Sequence, residues 1–357
     1  MGSSFGEKVK ISIFGESHGK AIGVVIDGFP AGFKPDFEKI QQQMDRRAPG
    51  RNSFATPRAE ADRPNILSGF CNGTSTGAPI CAMIENTNTK SGDYAQFATT
   101  PRPGHADFTG NIRYNGFNDQ AGGGHFSGRL TAPLVFCGAL FKQFLAQKNI
   151  FITAHISSIG NVSDDRFNSL ALDAVAAQML EQSEFPVLNS AAAKLMKAEI
   201  EKAKQNGDSI GGTIECGIFG LPAGLGDPIF GGVENKISAA VFGVPAVKGI
   251  EFGDGFALGT LYGSQSNDEF YAENNTVKTK TNRCGGILGG ITTGMPVIFR
   301  AAIKPTPSIA KEQQTVNLNT LEQQKIKVGG RHDPCIVPRA VVAIESAAAA
   351  AVMNILF

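Results

Sequence analysis

Glycine placement constrains this chain more than any other feature: many of its 43 glycines, in 357 residues, stand inside polar clusters rather than between amphipathic segments. Glycine takes positive φ readily and lets backbone approach a ligand closely. Between those clusters the regular elements are modest. Val9–Phe14 alternates and is β-branched, which predicts a strand running into Gly15. Pro35, followed by Asp36, Phe37 and Glu38, opens a helix that runs to Arg46 and Arg47 and stops before Pro49 and Gly50. Ile66–Phe70 and Pro79–Ile84 read as strands around the turn-rich Asn72–Gly77. From Lys90 to Gly124 periodicity almost disappears, and long loops in folded domains are usually functional or disordered.

Thr131–Gln147 reads as a helix, with Pro133 tolerated in its first turn and Leu134, Phe141 and Leu145 on its buried side. Ala191–Lys204 is a second helix, closed by Asn206 and Gly207. Gly211–Phe219 and Lys248–Phe252 read as strands, Glu234–Phe242 as the helix between them, and Ala340–Ile355 as a final apolar helix. With no βαβ alternation, no repeat and no linker composition, the expectation is a mixed α+β fold in one domain spanning residues 1–357.

A formal net charge of +1 argues against a nucleic-acid or polyanion binder, so any anionic partner must be met by a local cluster. The six cysteines contain no CxxC pair and no regular framework, so neither disulfides nor a metal site is expected. No cationic, apolar leader opens the chain. The longest apolar stretch, near the C-terminus, is interrupted by Glu345 and reads as too short for a bilayer, so a soluble, cytoplasmic protein is expected.

Three familiar motifs fail. Gly15-Glu16-Ser17-His18-Gly19-Lys20-Ala21 is one residue short of a phosphate loop, and Ala21 stands where a magnesium-binding hydroxyl is required. The same stretch matches G-x-S-x-G, but only one strand precedes Ser17, whereas a hydrolase elbow follows several. Gly285–Gly290 is not G-x-G-x-x-G, so no nicotinamide-binding Rossmann unit is supported.

What survives is a constellation. Of five histidines, His18, His105, His125 and His332 sit in glycine- or arginine-rich polar segments, while His155 lies in an apolar strand-like stretch and reads as structural. Histidine both donates and accepts protons near neutral pH. Arg46, Arg47 and Arg51 surround Pro49 and Gly50; Arg102, Arg129, Lys304, Arg331 and Arg339 stand beside glycine, proline or histidine. Guanidinium groups hold carboxylate and phosphate bidentately, so a small, multiply anionic substrate is implied.

These residues carry a family resemblance. Gly15–Pro30 and the pair Arg331–Cys335 and Pro338–Ala340 resemble the two end signatures of the chorismate synthases. Asn65–Gly77, Asn86–Tyr94, Arg102–Asp107, Val247–Phe256 and Gly285–Gly290 match family segments in order between them. The resemblance implies a β-α-β sandwich, with helices between antiparallel sheets, assembled as a homotetramer. It implies a 1,4-anti elimination of phosphate from 5-enolpyruvylshikimate 3-phosphate that needs reduced FMN without net oxidation. NADPH is a conceivable source of the reducing equivalents, and an external flavin reductant is expected.

By the same resemblance, His18 protonates the leaving phosphate, His105 protonates reduced flavin, and Ser17, Ser127 and Asp333 form a proton relay. Flavin contacts fall on His125, Phe126, Ser127, Pro245, Ala246, Gly289, Lys304, Pro305, Thr306, Pro307, Ser308 and Arg331. Substrate contacts fall on Arg46, Arg47, Arg51, Arg129 and Arg339, with Arg47 also associated with nicotinamide binding. Three departures stand out. His125-Phe126-Ser127-Gly128-Arg129-Leu130 replaces Arg-Ser-Ser-Ala-Arg-Glu of many relatives, Ser53 aligns with the usual second arginine near Arg51, and Gly92 replaces a long polar side chain. A flavin- or anion-binding protein without turnover is the alternative that the altered loop suggests.

Overall fold

The structure, a computed structural model, describes residues 2–50, 62–87, 96–329 and 332–357. The first antiparallel sheet contains β1 (Ser4–Phe5), β2 (Lys10–Gly15), β3 (Ala21–Asp27), β4 (Asn65–Ser68) and β5 (Ile80–Glu85), in the spatial order β1-β2-β3-β5-β4. The second contains β6 (Phe151–Ile159), β7 (Val162–Ser163), β8 (Gly212–Phe219), β9 (Val247–Phe252) and β10 (Val297–Ile303), in the order β9-β10-β8-β6-β7. Strands β3 and β10 did not stand out in the sequence. Each bears apolar residues on its outer face as well as its core face (Val25 in β3, Ile298 and Ala302 in β10), which blurs the alternation.

The helices are α1 (Phe37–Arg47), α2 (Asp107–Arg113), α3 (Thr131–Ala146), α4 (Ala174–Gln182), α5 (Ser190–Gln205), α6 (Val233–Phe242) and α7 (Val337–Leu356). Between the sheets, α3 packs on the first and α7 on the second, and the two pack on each other with α1 and α6 alongside. This is the α+β sandwich, with helices between antiparallel sheets, that the resemblance implies. Local chemistry places the ends. Asp36 caps α1 by accepting from the backbone N–H of Glu38 and Lys39, and Arg46 and Arg47 lie in its last turn, where cations complement the helix dipole. Within the stretch expected to lack order, α2 is a short helix whose Phe108 and Ile112 point outward, which leaves it no apolar stripe to read.

Close packing in the helical layer is bought with small side chains. A Cβ on Gly138 would lie 2.3 Å from Ser346 Cβ, so α3 and α7 cross where neither carries bulk. Ala347 to Ala351 are all essentially inaccessible, which lets α7 be covered from every side. The expectation that this stretch is too short for a bilayer is corrected. Beginning at Val337, with Pro338 in its first turn, the helix reaches 20 residues, long and apolar enough by composition, but 83% of that window is buried inside the protein. Its apolarity is spent on the core.

Glu345 is the exception in that helix. Its carboxylate accepts from Arg46 at 2.8 and 2.9 Å, from Lys142 Nζ at 2.7 Å and from the Ala154 N–H at 3.2 Å. Burial alone would raise its pKa, but Arg46 and Lys142 hold it down at about 2. Far from it in sequence, His155 is clamped between Asp164 at 3.0 Å and Glu215 at 3.1 Å with no exposure, a structural histidine as its apolar setting implies. Burial opposes its charge, yet the two carboxylates raise its pKa above the ordinary value.

Replacing Glu345 by Gln removes the buried counter-charge of Arg46 and Lys142 and leaves them only the more exposed Glu181. A loss of about 3–5 kcal/mol in urea-denaturation stability is expected. Because the folded pKa of Glu345 is depressed from 4.5 to about 2, its contribution is present above the unfolded value and is lost as pH falls through that interval. His155 has the opposite sign. Its contribution is complete below 6.5 and is lost as pH rises through the raised folded value, so thermal midpoints should decline on the alkaline side, and a His155→Gln variant should abolish that decline.

Candidate active site

The site is assembled on the turn between β2 and β3 and on the loop that precedes α3. Gly15 ends β2 at φ +95°, where a Cβ would lie 2.3 Å from the Ala21 carbonyl oxygen, so the turn needs glycine there. The turn joins two antiparallel strands, whereas a hydrolase elbow joins a strand to a helix. The serine-nucleophile reading of Ser17 therefore lacks its structural context. Ser17 is buried, and its N–H donates to the Gly124 carbonyl at 3.1 Å.

Gly122, Gly123 and Gly124 adopt φ of +62°, +87° and +52° in succession. A Cβ on Gly122 would stand 1.9 Å from His18 Nδ1, and one on Gly123 would stand 3.1 Å from His105 Nε2 and 3.8 Å from Ser127 Cβ. Any side chain at 122 would collide with His18, and one at 123 would crowd His105, so both imidazoles need glycine beside them. His125 pins this loop in place, with Nδ1 2.7 Å from the Gly15 carbonyl oxygen and Nε2 2.9 Å from Ser3 Oγ. Both ring nitrogens are engaged by the protein, which gives the departure at this position a structural role. Phe126 turns to α2, where its ring lies against Gly110 and 6.2 Å from Tyr114. Ser127 Oγ accepts from the Arg129 N–H at 3.2 Å, and Leu130 enters the core.

A chain of charges extends from this loop. Arg129 pairs with Asp62, and its Nε donates to Asn86 Oδ1 at 3.2 Å. Asn86 in turn donates to the carbonyls of Glu16 at 3.0 Å and Gly19 at 2.9 Å, which ties Arg129 to the Ser17–His18 turn. Arg47 Nε donates to the same Asp62 at 2.8 Å. Arg339 donates to the Arg47 carbonyl at 3.1 Å and pairs with Asp333. Burial, and then the neighbouring Arg339 and Arg129, lower the Arg47 pKa to about 10 despite Asp62. Burial would raise Asp62, but Arg47 and Arg129 keep its carboxyl below the usual range. Among the described residues, three guanidinium groups and two carboxylates meet here.

The second wall comes from the end of β10. Lys304 donates through its backbone N–H to the Ala246 carbonyl at 2.9 Å and through Nζ to the Gly104 carbonyl at 3.0 Å. Ala246 itself adopts φ +75°, a conformation uncommon outside glycine, directly after Pro245. Arg102 donates to Ser308 Oγ at 3.1 Å, which joins the Lys304–Ser308 segment, including Pro305, Thr306 and Pro307, to the His105 segment. His332 is lowered in pKa by burial, against a hydrogen bond to the Gly329 carbonyl, with Arg102 and His105 pushing the same way as burial. It therefore lies within electrostatic reach of His105 and Asp333.

His18, His105, Ser17 and Ser127 thus converge on one loop, and Arg47, Arg129, Arg339 and Asp333 form one network joined to it. Arg46 does not join them. The expectation that it contacts substrate is corrected: its guanidinium is spent on Glu345 in the core, one residue and about 100° around α1 from Arg47. Gly289 stands in the turn of a hairpin beside the start of α6, where a Cβ would meet nothing within 4 Å. Arg51 and Arg331, with Ser53 and Gly92, lie outside the described residues. Sequence reasoning missed Asp62, Asn86 and Asp107 as functional positions. The last two fall within matching segments, and that was the one signal that could have found them.

A family model described as chorismate synthase matches residues 9–357. A curated chorismate synthase of Dehalococcoides mccartyi is 45% identical over 346 residues, covering 97% of this chain and 94% of that relative. Another, of Thermococcus kodakarensis, is 45% identical over 345 residues, covering 96% and 94%. A solved structure described as a crystal structure of chorismate synthase superposes with a TM-score of 0.77 at 28% identity, over 98% of this chain and 92% of that one. By sequence over nearly its whole length, and by fold, the chain belongs to the chorismate synthase family.

Proposed function

We propose that the glycine loop between His18 and His105 is the reaction centre at which this lyase eliminates phosphate from 5-enolpyruvylshikimate 3-phosphate to give chorismate. Family membership carries the overall reaction. The observation that supports its location is that a run of three consecutive positive-φ glycines stands beside both imidazoles. His18 delivers a proton to the departing phosphate. His105, in its imidazolium form, acts as an acid through Nε2, the ring nitrogen nearest Gly123. Ser17, Ser127 and Asp333 would form a relay that assists removal of the C6 proton by the reduced flavin, and Arg339 pairs with Asp333. Arg47, Arg129 and Arg339 neutralise the phosphate and carboxylates, and the burial of Arg47 and Arg129 strengthens each charge interaction. Arg51 belongs to the same substrate-binding set.

Reduced FMN is the cofactor in this reading, and the residues fit it. Thr306 Oγ1 is buried without a hydrogen-bond partner among the described residues. Beside it stands Lys304, whose pKa is lowered by burial and then by the neighbouring Lys248, so two cations lie close together on this side. Pro245, Ala246, Lys304, Pro305, Thr306, Pro307 and Ser308 would hold the group on one side, with Phe126, Ser127, Arg331 and Gly289 completing the set. His125 would serve it through the position of the loop. When bound, the reduced flavin lends electron density as phosphate leaves. An external reductant maintains it, with NADPH as the candidate donor. The chain works as one domain in a cytoplasmic homotetramer; the nearly bare rings of Phe117, Phe230 and Phe256, at 92, 88 and 87% exposure, support assembly.

Anaerobic phosphate release, measured with and without dithionite-reduced FMN, tests the whole. Turnover only with reduced flavin, with chorismate appearing in step, is expected; flavin binding without phosphate release would favour the binding-protein alternative. His18→Ala and His105→Ala should each lower turnover by roughly two to four decades, the usual range for losing a general acid. Gly122→Ala forces His18 away and should cost about two decades, as misplacement by about 1 Å does. Gly128→Ala is the control, since a Cβ there meets nothing within 4 Å, and near-parental rates are expected for it.

A further inference from the structure

Asp107 stands at the start of α2 with its carboxylate buried, and three groups converge on it. Oδ1 lies 2.6 Å from His105 Nδ1 and accepts from Arg102 Nη2 at 2.8 Å. Oδ2 accepts from Arg102 Nε at 2.8 Å and from its backbone N–H at 3.0 Å. The same Nη2 lies 3.1 Å from His105 Nδ1 and 3.3 Å from Nε2. Ring nitrogens point in divergent directions, so an atom almost equidistant from both sits over the ring face, outside its plane. His105 therefore meets a carboxylate at one edge and a guanidinium on one face, while Nε2 is left towards Gly123 and Ser127.

We propose that Asp107 is a positioning residue for His105, fixing Nδ1–H inward so that Nε2 faces the reaction centre. This rests on the reading of His105 as the acid. A buried carboxylate behind an imidazole selects its tautomer and orientation. Arg102 holds both partners, donating to the two carboxylate oxygens and lying 3.1 Å from Nδ1 on the ring face. Arg102 is itself immobilised, with Nη1 on Ser308 and its guanidinium 4.5 Å above the Phe97 ring. Burial would raise the carboxyl pKa of Asp107, but Arg102 and then His105 hold it well below the usual range, so it remains ionised. Among the described residues, other charged or titratable groups near His105 include His332 from the C-terminal segment, which Asp333 also reaches, Lys304 from the end of β10 and His18 across the glycine loop.

The test is 15N NMR of the full-length protein labelled at histidine, with His105→Gln identifying the His105 signals. In the parent, the neutral ring should carry its proton on Nδ1. Asp107→Asn should move that proton towards Nε2, whereas Asp107→Glu should keep it on Nδ1. The kcat of chorismate formation should fall by at least about tenfold in Asp107→Asn and recover in part in Asp107→Glu, with KM for substrate changing less than about twofold. A parental tautomer in Asp107→Asn overturns the proposal and leaves Asp107 a purely structural partner of Arg102. A tautomer that moves while kcat does not would support the positioning role and sink the reading of His105 as the acid. Should Asp107→Asn fail to fold, the tautomer of the parent decides alone, and a neutral ring protonated on Nε2 overturns the proposal.

Discussion

One helix packed from every side is the constraint on which the rest of this molecule depends. Two antiparallel sheets share a single helical layer only if the helix at its centre offers little bulk in any direction. The alanines 347–351 of α7 meet that condition, and the glycine–serine crossing with α3 meets it again. Such a helix cannot also carry an uncompensated charge. Glu345 is accommodated because Arg46 from α1 and Lys142 from α3 converge on it, and this binds three helices at one point. Asn354 does similar work at the far end, accepting from the backbone N–H groups of Glu7, Lys8 and Val9. The terminal helix thereby locks the first sheet from which the Ser17–His18 turn projects.

Where loops leave that layer, the site forms largely from backbone. The glycine triplet leaves room for His18 and His105, which a side chain at 122 or 123 would crowd. Around it, among the described residues, Arg47, Arg129 and Arg339 share Asp62 and Asp333. Exposed arginines would be worth little, but burial strengthens each of these charge interactions. Asp62 keeps two buried guanidinium groups tolerable in the interior.

Much of this was legible in residue type and placement. Histidines among glycines and arginines beside turns pointed to His18, His105, Ser17, Ser127, Arg47, Arg129, Arg339 and Asp333, all of which the fold connects. The failures have local causes. Arg46 and Arg47 look equivalent in sequence, yet successive helical residues face different directions, and one enters the core. Asp62 and Asn86 matter through partners 15 and 43 residues away, which periodicity does not reveal. Strands β3 and β10 escaped notice because apolar residues on both faces blur the alternation.

The sequence by itself determined the mixed α+β class, most element positions and, through ordered motifs, the family and its reaction, because turns, caps and short motifs are local properties of the chain. Only the tertiary structure decided that the polar clusters converge on one glycine loop, that His125 anchors that loop, and that the apolar C-terminal helix belongs to the core. It also decided which carboxylate stands behind which cation. Pairing, burial and charge balance are set by three-dimensional proximity, and residues far apart in the chain acquire it only when the two sheets close on their shared layer.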